Sequence, residues 1–172
     1  PSHAWVAGTG ALFSAEFYRT VRGRLAPGGV MAQWLHSYDM TDETLSLVLR
    51  TFAAAFTHAS LWALTSGDLL LIGSEAPAEP DFRAIERRFS RPGVREDLAR
   101  VGIDSLAALL SLQAATDAGV RRAAGEGPVN SDRRPLLEYQ APLARFLGRS
   151  SRLVGAADAR REAGWSLPAA MD

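Results

Sequence analysis

The sequence predicts an open α/β domain. Three observations carry that expectation. Helical and strand periodicities alternate in the order helix, strand, helix, strand, strand over the first seventy or so residues. The first strand pattern is apolar on both faces apart from one Gln, as in a strand buried within a mainly parallel sheet. The last two strands are joined by a short Gly-containing turn, so they read as a hairpin that would close the sheet as an antiparallel edge.

The first helix is expected over residues 14–26. Ser14 can cap it and Glu16 lies in its first turn, where the helix dipole favours an acid. Phe13, Phe17, Val21 and Leu25 recur every four residues and predict its apolar stripe. Pro27-Gly28-Gly29 stops it. The strand follows at 30–35 and the second helix at 41–56, with Thr41 as cap and Leu45, Val48, Leu49, Phe52 and Phe56 as buried stripe. Residues 59–64 and 69–72 are the hairpin strands around Thr65-Ser66-Gly67-Asp68, where Gly67 suits a positive φ. Residues 75–80 are an acidic, Pro-containing linker. Helices are expected at 81–89, 94–101 and 105–124, the last broken near Thr116. Residues 129–139 read as a polar turn leading into a short apolar piece, and the chain from Arg149 as a polar, Ala-rich tail. The organisation expected is therefore 1–75 α/β, 76–148 a helical extension with a closing turn, and 149–172 a tail.

Bulk composition narrows function. The 172 residues are 47% apolar and 22% charged, ordinary for a globular domain. The 19 basic residues, all Arg, balance 19 acids, so no nucleic-acid partner is expected. Without cysteine there is no disulfide framework or thiolate metal site. The chain contains no apolar run of about 18 residues, and neither a signal peptide nor a membrane span is read in it. It begins at Pro1 in a loop-like stretch, and the expectation is the later half of a domain cut from a longer protein.

Chemistry is sparse. No G-x-G-x-x-G, Walker loop or G-x-S-x-G elbow is present, and Gly8-Thr9-Gly10 is too short for a phosphate cradle. His3, His36 and Asp39 carry donor types that suit zinc or iron, but no ligand spacing links them, and no metal is assigned. The stretch from Gln33 through His36 to Tyr38 is more informative. In open α/β sheets ligands bind outside the carboxyl ends of the strands, and this stretch is such an end. Ser2 and His3 share that edge if a strand precedes them. Gln33 could equally satisfy backbone groups within the strand. Asn130 to Pro135 is dense in turn formers and reads as a structural turn.

Several motifs occur in order along residues 1–146. They are Pro1-Ser2-His3-Ala4-Trp5-Val6-Ala7-Gly8, Leu12-Phe13-Ser14 with Glu16-Phe17-Tyr18, and Arg24 to Gly29. Gln33-Trp34-Leu35-His36, Ser60-Leu61-Trp62 with Gly67 to Ser74, and Asn130 with Leu137-Glu138-Tyr139 follow. Together they resemble the spermidine-synthase-like, or polyamine aminopropyltransferase, family. The nearest resemblance is to the bacterial subgroup in which this domain is fused to a transporter-like membrane region.

The resemblance implies the carboxyl-terminal half of a methyltransferase-like Rossmann fold. It implies a transferase that moves an aminopropyl group from decarboxylated S-adenosylmethionine to a polyamine-type amine. An amine must be neutral and in line with the sulfonium carbon to attack. The implied substrate-side residues are Ser2, His3, Gln33 and Trp62. The sequence departs from the family pattern at points that matter. The catalytic acid would fall just before Ser2, His3 stands where an amine-gripping acid is expected, and Leu64 stands for a substrate-contacting Tyr. The catalytic residues are therefore not identified in this stretch. No cofactor is expected on it alone; decarboxylated S-adenosylmethionine would be the parent's co-substrate, and the isolated chain is expected to be inactive. The implied partners are a small amine and the missing amino-terminal half, with room for a homodimer. The implied location is cytoplasmic, including as the soluble domain of a membrane protein. Two alternatives stand beside this: a non-catalytic α/β module of a membrane-fused protein, and an S-adenosylmethionine-dependent methyltransferase of another small molecule.

Overall fold

A computed structural model describes residues 3–64, 67–77 and 80–154. A 3-10 turn, Thr9–Phe13, leads into helix α1, Ala15–Arg22. Strand β1 is Val30–His36, helix α2 is Asp42–Ala55, and strands β2 and β3 are His58–Ala63 and Asp68–Ser74. Helices α3 (Phe82–Phe89), α4 (Pro92–Arg100) and α5 (Leu106–Ser111) precede a short strand β4, Gln113–Ala115. Helices α6 (Asp117–Ala124) and α7 (Leu136–Phe146) complete the fold. None of the described helices is long and apolar enough to cross a membrane.

Local chemistry sets the helix starts. Ser14 Oγ accepts from the Phe17 amide at 3.2 Å, and Thr41 Oγ1 accepts from the Thr44 amide at 3.1 Å. The stripe expected on α2 is fully buried, with Leu45, Val48, Leu49, Phe52 and Phe56 at 0–2% exposure. Of the stripe expected for the first helix, Phe13 is buried and Phe17, Val21 and Leu25 are half-buried, and the α1 residue driven into the core is Tyr18, whose ring meets Phe52 edge-on at 5.0 Å.

The sheet order is β1-β3-β2-β4 and every pairing is antiparallel. Two expectations are corrected here. The hairpin does not form the edge, because its second strand inserts between β1 and β2. The sheet is also not mainly parallel in its pairings, although β1 and β2, both opposed to β3, run in the same direction. The reason lies in β3: Leu69 and Leu71 are buried and Gly73 admits two rings of α2, so this strand is suited to an interior position. β1 is consequently an edge among the described residues, which leaves Val30 58% exposed where burial on both faces was expected. Gly67 has φ 84°, as its place in the turn requires; Thr65 and Ser66 lie outside the described residues.

Gly73 tests the sheet–helix interface. A Cβ there would lie 2.6 Å from Phe52 Cε1 and 2.7 Å from Phe56 Cγ, and these rings are locked in the core. Gly73→Ala is expected to cost about 2 kcal/mol through overpacking. Urea unfolding measures it, and a variant as stable as the wild type would show that α2 can move away freely.

The helical extension shares the same core. Ala114, Val120, Leu137 and Ala141 belong to one buried cluster with Leu35, Leu45 and Leu71. Two arginines lock α2 against α6. Arg121 donates to the Phe56 and Thr57 carbonyls after the carboxyl end of α2. Arg50 donates to the Ala124 and Gly125 carbonyls at the end of α6. The helix expected at 105–124 is broken just before Thr116, as expected, and the break holds the short strand β4, which pairs with β2.

The segment after α7 turns back along α2. Asp42 Oδ1 accepts from Ser151 Oγ at 2.7 Å and from the Arg152 amide at 2.8 Å. Burial opposes ionisation of Asp42, but these hydrogen bonds and the Arg152 charge outweigh it and hold the pKa below the ordinary carboxylate value. A depressed folded pKa contributes stability that is present above the unfolded value, near 4, and is lost as pH falls through the folded one. Asp42→Asn should therefore remove part of the acid destabilisation below about pH 4. Urea midpoints measured from pH 6 to pH 2.5 check this, and superimposable acid limbs for both proteins would refute it. The tail from 155 onward lies outside the described residues.

Candidate functional site

The carboxyl end of β1 gathers an aromatic and imidazole cluster. Side chains alternate along a strand, so Trp34 and His36 share one face of β1, opposite Leu35. The loop before α1 brings His3 and Trp5 onto that face. The His3 and Trp5 rings stack with centroids 4.2 Å apart. His3 lies 5.2 Å from both Trp34 and His36, and Trp5 meets His36 edge-on at 4.5 Å. Tyr38, two residues on, stacks on His36 at 4.6 Å.

Polar groups frame the cluster. Tyr38 Oη donates to Asp68 Oδ1 at 3.2 Å, which the register of His36 opposite Asp68 makes possible. Partial burial and this carboxylate together push the Tyr38 phenol pKa up. Asp39 adopts φ 53°, and its carboxylate takes Arg145 Nη1 at 2.6 Å. The same guanidinium sits 4.5 Å over the Trp5 ring. His36 is 1% exposed, and its Nδ1 lies 2.5 Å from the Tyr38 carbonyl. A carbonyl only accepts, so that nitrogen carries the proton. Burial lowers the His36 pKa, more than the Tyr38 carbonyl raises it, and the ring is neutral at neutral pH.

Of the sequence-predicted residues, His3 lies inside this cluster. Ser2 lies outside the described residues. Gln33 is on the opposite face of β1, beside Leu71 in the register, and its Nε2 donates to the neighbouring Trp34 carbonyl at 3.1 Å. Trp62 shares the face of Trp34, in one cross-strand row with Leu70 between them. Its indole N–H donates to Ser60 Oγ at 3.1 Å. The structure thus brings His3 to Trp34 and His36, leaves Trp62 two strands away, and puts Gln33 behind the sheet.

Trp5, Asp68 and Arg145 were missed in the sequence. Trp5 belongs to the motif quoted for the resemblance, and the hairpin register could have found Asp68. Arg145, 106 residues from its partner Asp39, gives no local signal. A cavity of about 380 Å³, lined by Leu25, Pro27, Val30 and Ser74 and by the Arg22–Glu75 ion pair at 3.1 Å, lies instead at the amino end of β1, the wrong end for a ligand of an α/β sheet.

The Gly8-Thr9-Gly10 loop has a structural use. Its Gly8 and Gly10 amides donate to the two carboxylate oxygens of Glu138 at 2.6 and 3.2 Å, so donors that an anion would need are held by α7. Among the described residues no group of three or more His, Cys, Asp or Glu side chains forms a metal cage. Compared with protein-family models and with curated proteins, the chain matches none.

Proposed function

We infer that the chain is the later part of a methyltransferase-like Rossmann domain of the spermidine-synthase-like kind. Its parent transfers an aminopropyl group from decarboxylated S-adenosylmethionine to a small amine, and this chain supplies the substrate-side half of the site. One observation carries the reading: His3 and Trp5 meet Trp34, His36 and Tyr38 at the carboxyl end of β1. Two separate stretches of the resemblance thereby converge on the edge where an α/β sheet binds ligands.

The topology supports the fold half of this reading. β1 and β2 run in the same direction and are joined through α2, with β3 reversed between them. Helix α1 packs beside α2 through Tyr18 and Phe52. With right-handed crossovers, a strand before α1 running parallel to β1 falls on the free edge of β1. That edge carries no Lys, Arg or Pro to blunt it, as suits a strand that is paired in the complete domain.

The test is calorimetry of the chain extended by its upstream residues, titrated with decarboxylated S-adenosylmethionine. Saturable binding is expected, followed by aminopropyl transfer to an amine detectable by mass spectrometry. No binding of any such nucleoside overturns the enzyme reading. A second reading is a non-catalytic module, favoured by the Arg145 guanidinium and the His3 ring, which already occupy the Trp5 ring that a cationic amine would use. Transfer to any amine eliminates it. Methyl transfer from S-adenosylmethionine in place of aminopropyl transfer would select the methyltransferase alternative.

A further inference from the structure

Two ring nitrogens of the cluster have no use in the fold. His36 Nε2 and His3 Nδ1 are both shielded from solvent, and neither has a hydrogen-bond partner among the described residues. A buried polar atom left unpaired costs about 1–3 kcal/mol, so such atoms call for an explanation. That two of them occur in neighbouring rings, with centroids 5.2 Å apart, makes a shared explanation the economical one.

The geometry suits a metal ion between the rings. Nδ1–H of His36 is committed to the Tyr38 carbonyl, which fixes the tautomer and leaves the free lone pair on the buried Nε2. Metal-binding histidines are oriented in this way, by a backbone carbonyl on the far ring nitrogen. Zinc–imidazole bonds are about 2.0–2.1 Å, and two of them meeting at a tetrahedral angle put the ring centroids roughly 5 Å apart. The nearby carboxylates are already engaged, Asp68 by the Tyr38 hydroxyl and Asp39 by Arg145.

We propose that His3 and His36 form a two-imidazole site for a divalent transition-metal ion of the zinc and copper class, with its remaining positions open to a ligand from outside the chain. Imidazole suits these ions, and open positions are the mark of a metal that acts on a ligand, in contrast to closed structural sites. The proposal is independent of the aminopropyltransferase reading, because it rests on the two unpaired nitrogens alone. The stacked Trp5 ring makes it readable, since it touches both histidines.

The experiment uses the whole 172-residue chain without a histidine tag. Zn²⁺ is titrated by calorimetry, and Cu²⁺ by quenching of tryptophan fluorescence. One equivalent is expected to bind, with His3→Gln and His36→Gln each weakening the affinity at least tenfold. His58→Gln, on β2 and outside the cluster, is expected to leave it unchanged. Because His36 is buried and its variant could unfold, imidazole NMR of the wild type provides the second measurement. Zn²⁺ should shift the His3 and His36 ring resonances together and leave His58 in place. Absence of binding, binding that survives both substitutions, or ring shifts confined to His58 would each overturn the proposal. So would a slowly exchanging water proton bridging the two rings while added Zn²⁺ moves neither.

Discussion

Phe52→Ala is expected to lower the stability of the chain by about 4 kcal/mol, a cost typical of deleting a large core aromatic. Phe52 is fully buried and joins α1 to α2. Its ring centroid lies 5.0 Å from Tyr18 on α1 and 4.6 Å from Phe56 at the end of α2. The backbone of β3 closes the other side, at Gly73. Truncation leaves a cavity walled by a rigid strand and two helices, so little of it can collapse. Urea unfolding supplies the number, and a loss below about 1.5 kcal/mol would mean that α1 and α2 close over the gap. The site also couples to Gly73. A methyl at Gly73 clashes with the Phe52 ring in the wild type but enters the cavity in the Phe52→Ala background. The double variant should therefore be more stable than the sum of the single losses predicts, by about 1 kcal/mol or more. Strict additivity would show that the two positions do not share this space.

Asn130→Ala is expected to cost about 3 kcal/mol, far more than an ordinary turn residue. Asn130 is 1% exposed, and every polar group it has is used. Its Nδ2 donates to the Gly10 and Phe13 carbonyls at 3.0 and 3.1 Å, and its Oδ1 accepts from the Leu137 amide at 3.1 Å. Its own amide donates to Thr51 Oγ1 at 2.9 Å, and its carbonyl accepts from the Ala15 amide at 2.9 Å. One residue thereby ties the 3-10 turn, α1, α2 and α7 together. Alanine leaves two buried carbonyls and one amide unpaired, each worth about 1–3 kcal/mol before water or relaxation offsets it. Asn130→Asp should be no better, because a carboxylate has no proton to give to the two carbonyls. Thermal and urea unfolding of both variants check this. A loss under 1 kcal/mol for alanine would mean that water replaces the side chain at no cost. The functional consequence is indirect. Asn130 holds the turn that follows His3 and Trp5, so its loss should also loosen the stacking that Trp5 fluorescence reports.

Much of this was legible residue by residue. Ser14 and Thr41 announced their helices, because a capping hydroxyl and the amide three residues on are neighbours in sequence. The stripe on α2 was legible because a fully buried helix face repeats with the helical period. The turn character of residues 130–135 was also visible, and the Ser131–Arg134 turn bears it out, but not that Asn130 is a buried hub. Gln33 stood out through its place near the carboxyl end of a strand and through the resemblance, with a backbone-satisfying role as the equal alternative. In the structure it faces away from His3 and bonds to its own strand, the backbone-satisfying role that was the other reading. The stripe around α1 was legible in part: Phe13 is in the core and Phe17 and Leu25 pack against it, but four-residue spacing does not say which flank of a short helix meets its neighbour, and Tyr18 is buried through its contact with Phe52.

The sequence by itself determined the caps, the α2 face, the hairpin turn at Gly67 and the class of alternating helices and strands. All of these rest on groups within a few residues of one another, where steric and hydrogen-bonding rules act directly. The tertiary structure decided the strand order, the interior place of β3, the pairing of β4 with β2, and the cluster of His3, Trp5, Trp34, His36 and Tyr38 framed by Asp68 and Arg145. Those depend on partners tens to more than a hundred residues apart, such as Arg145 on Asp39 and Glu138 on the Gly8 amide. Such contacts form only when the whole core closes, because loop-closure entropy must be overcome by burial that no single segment can provide.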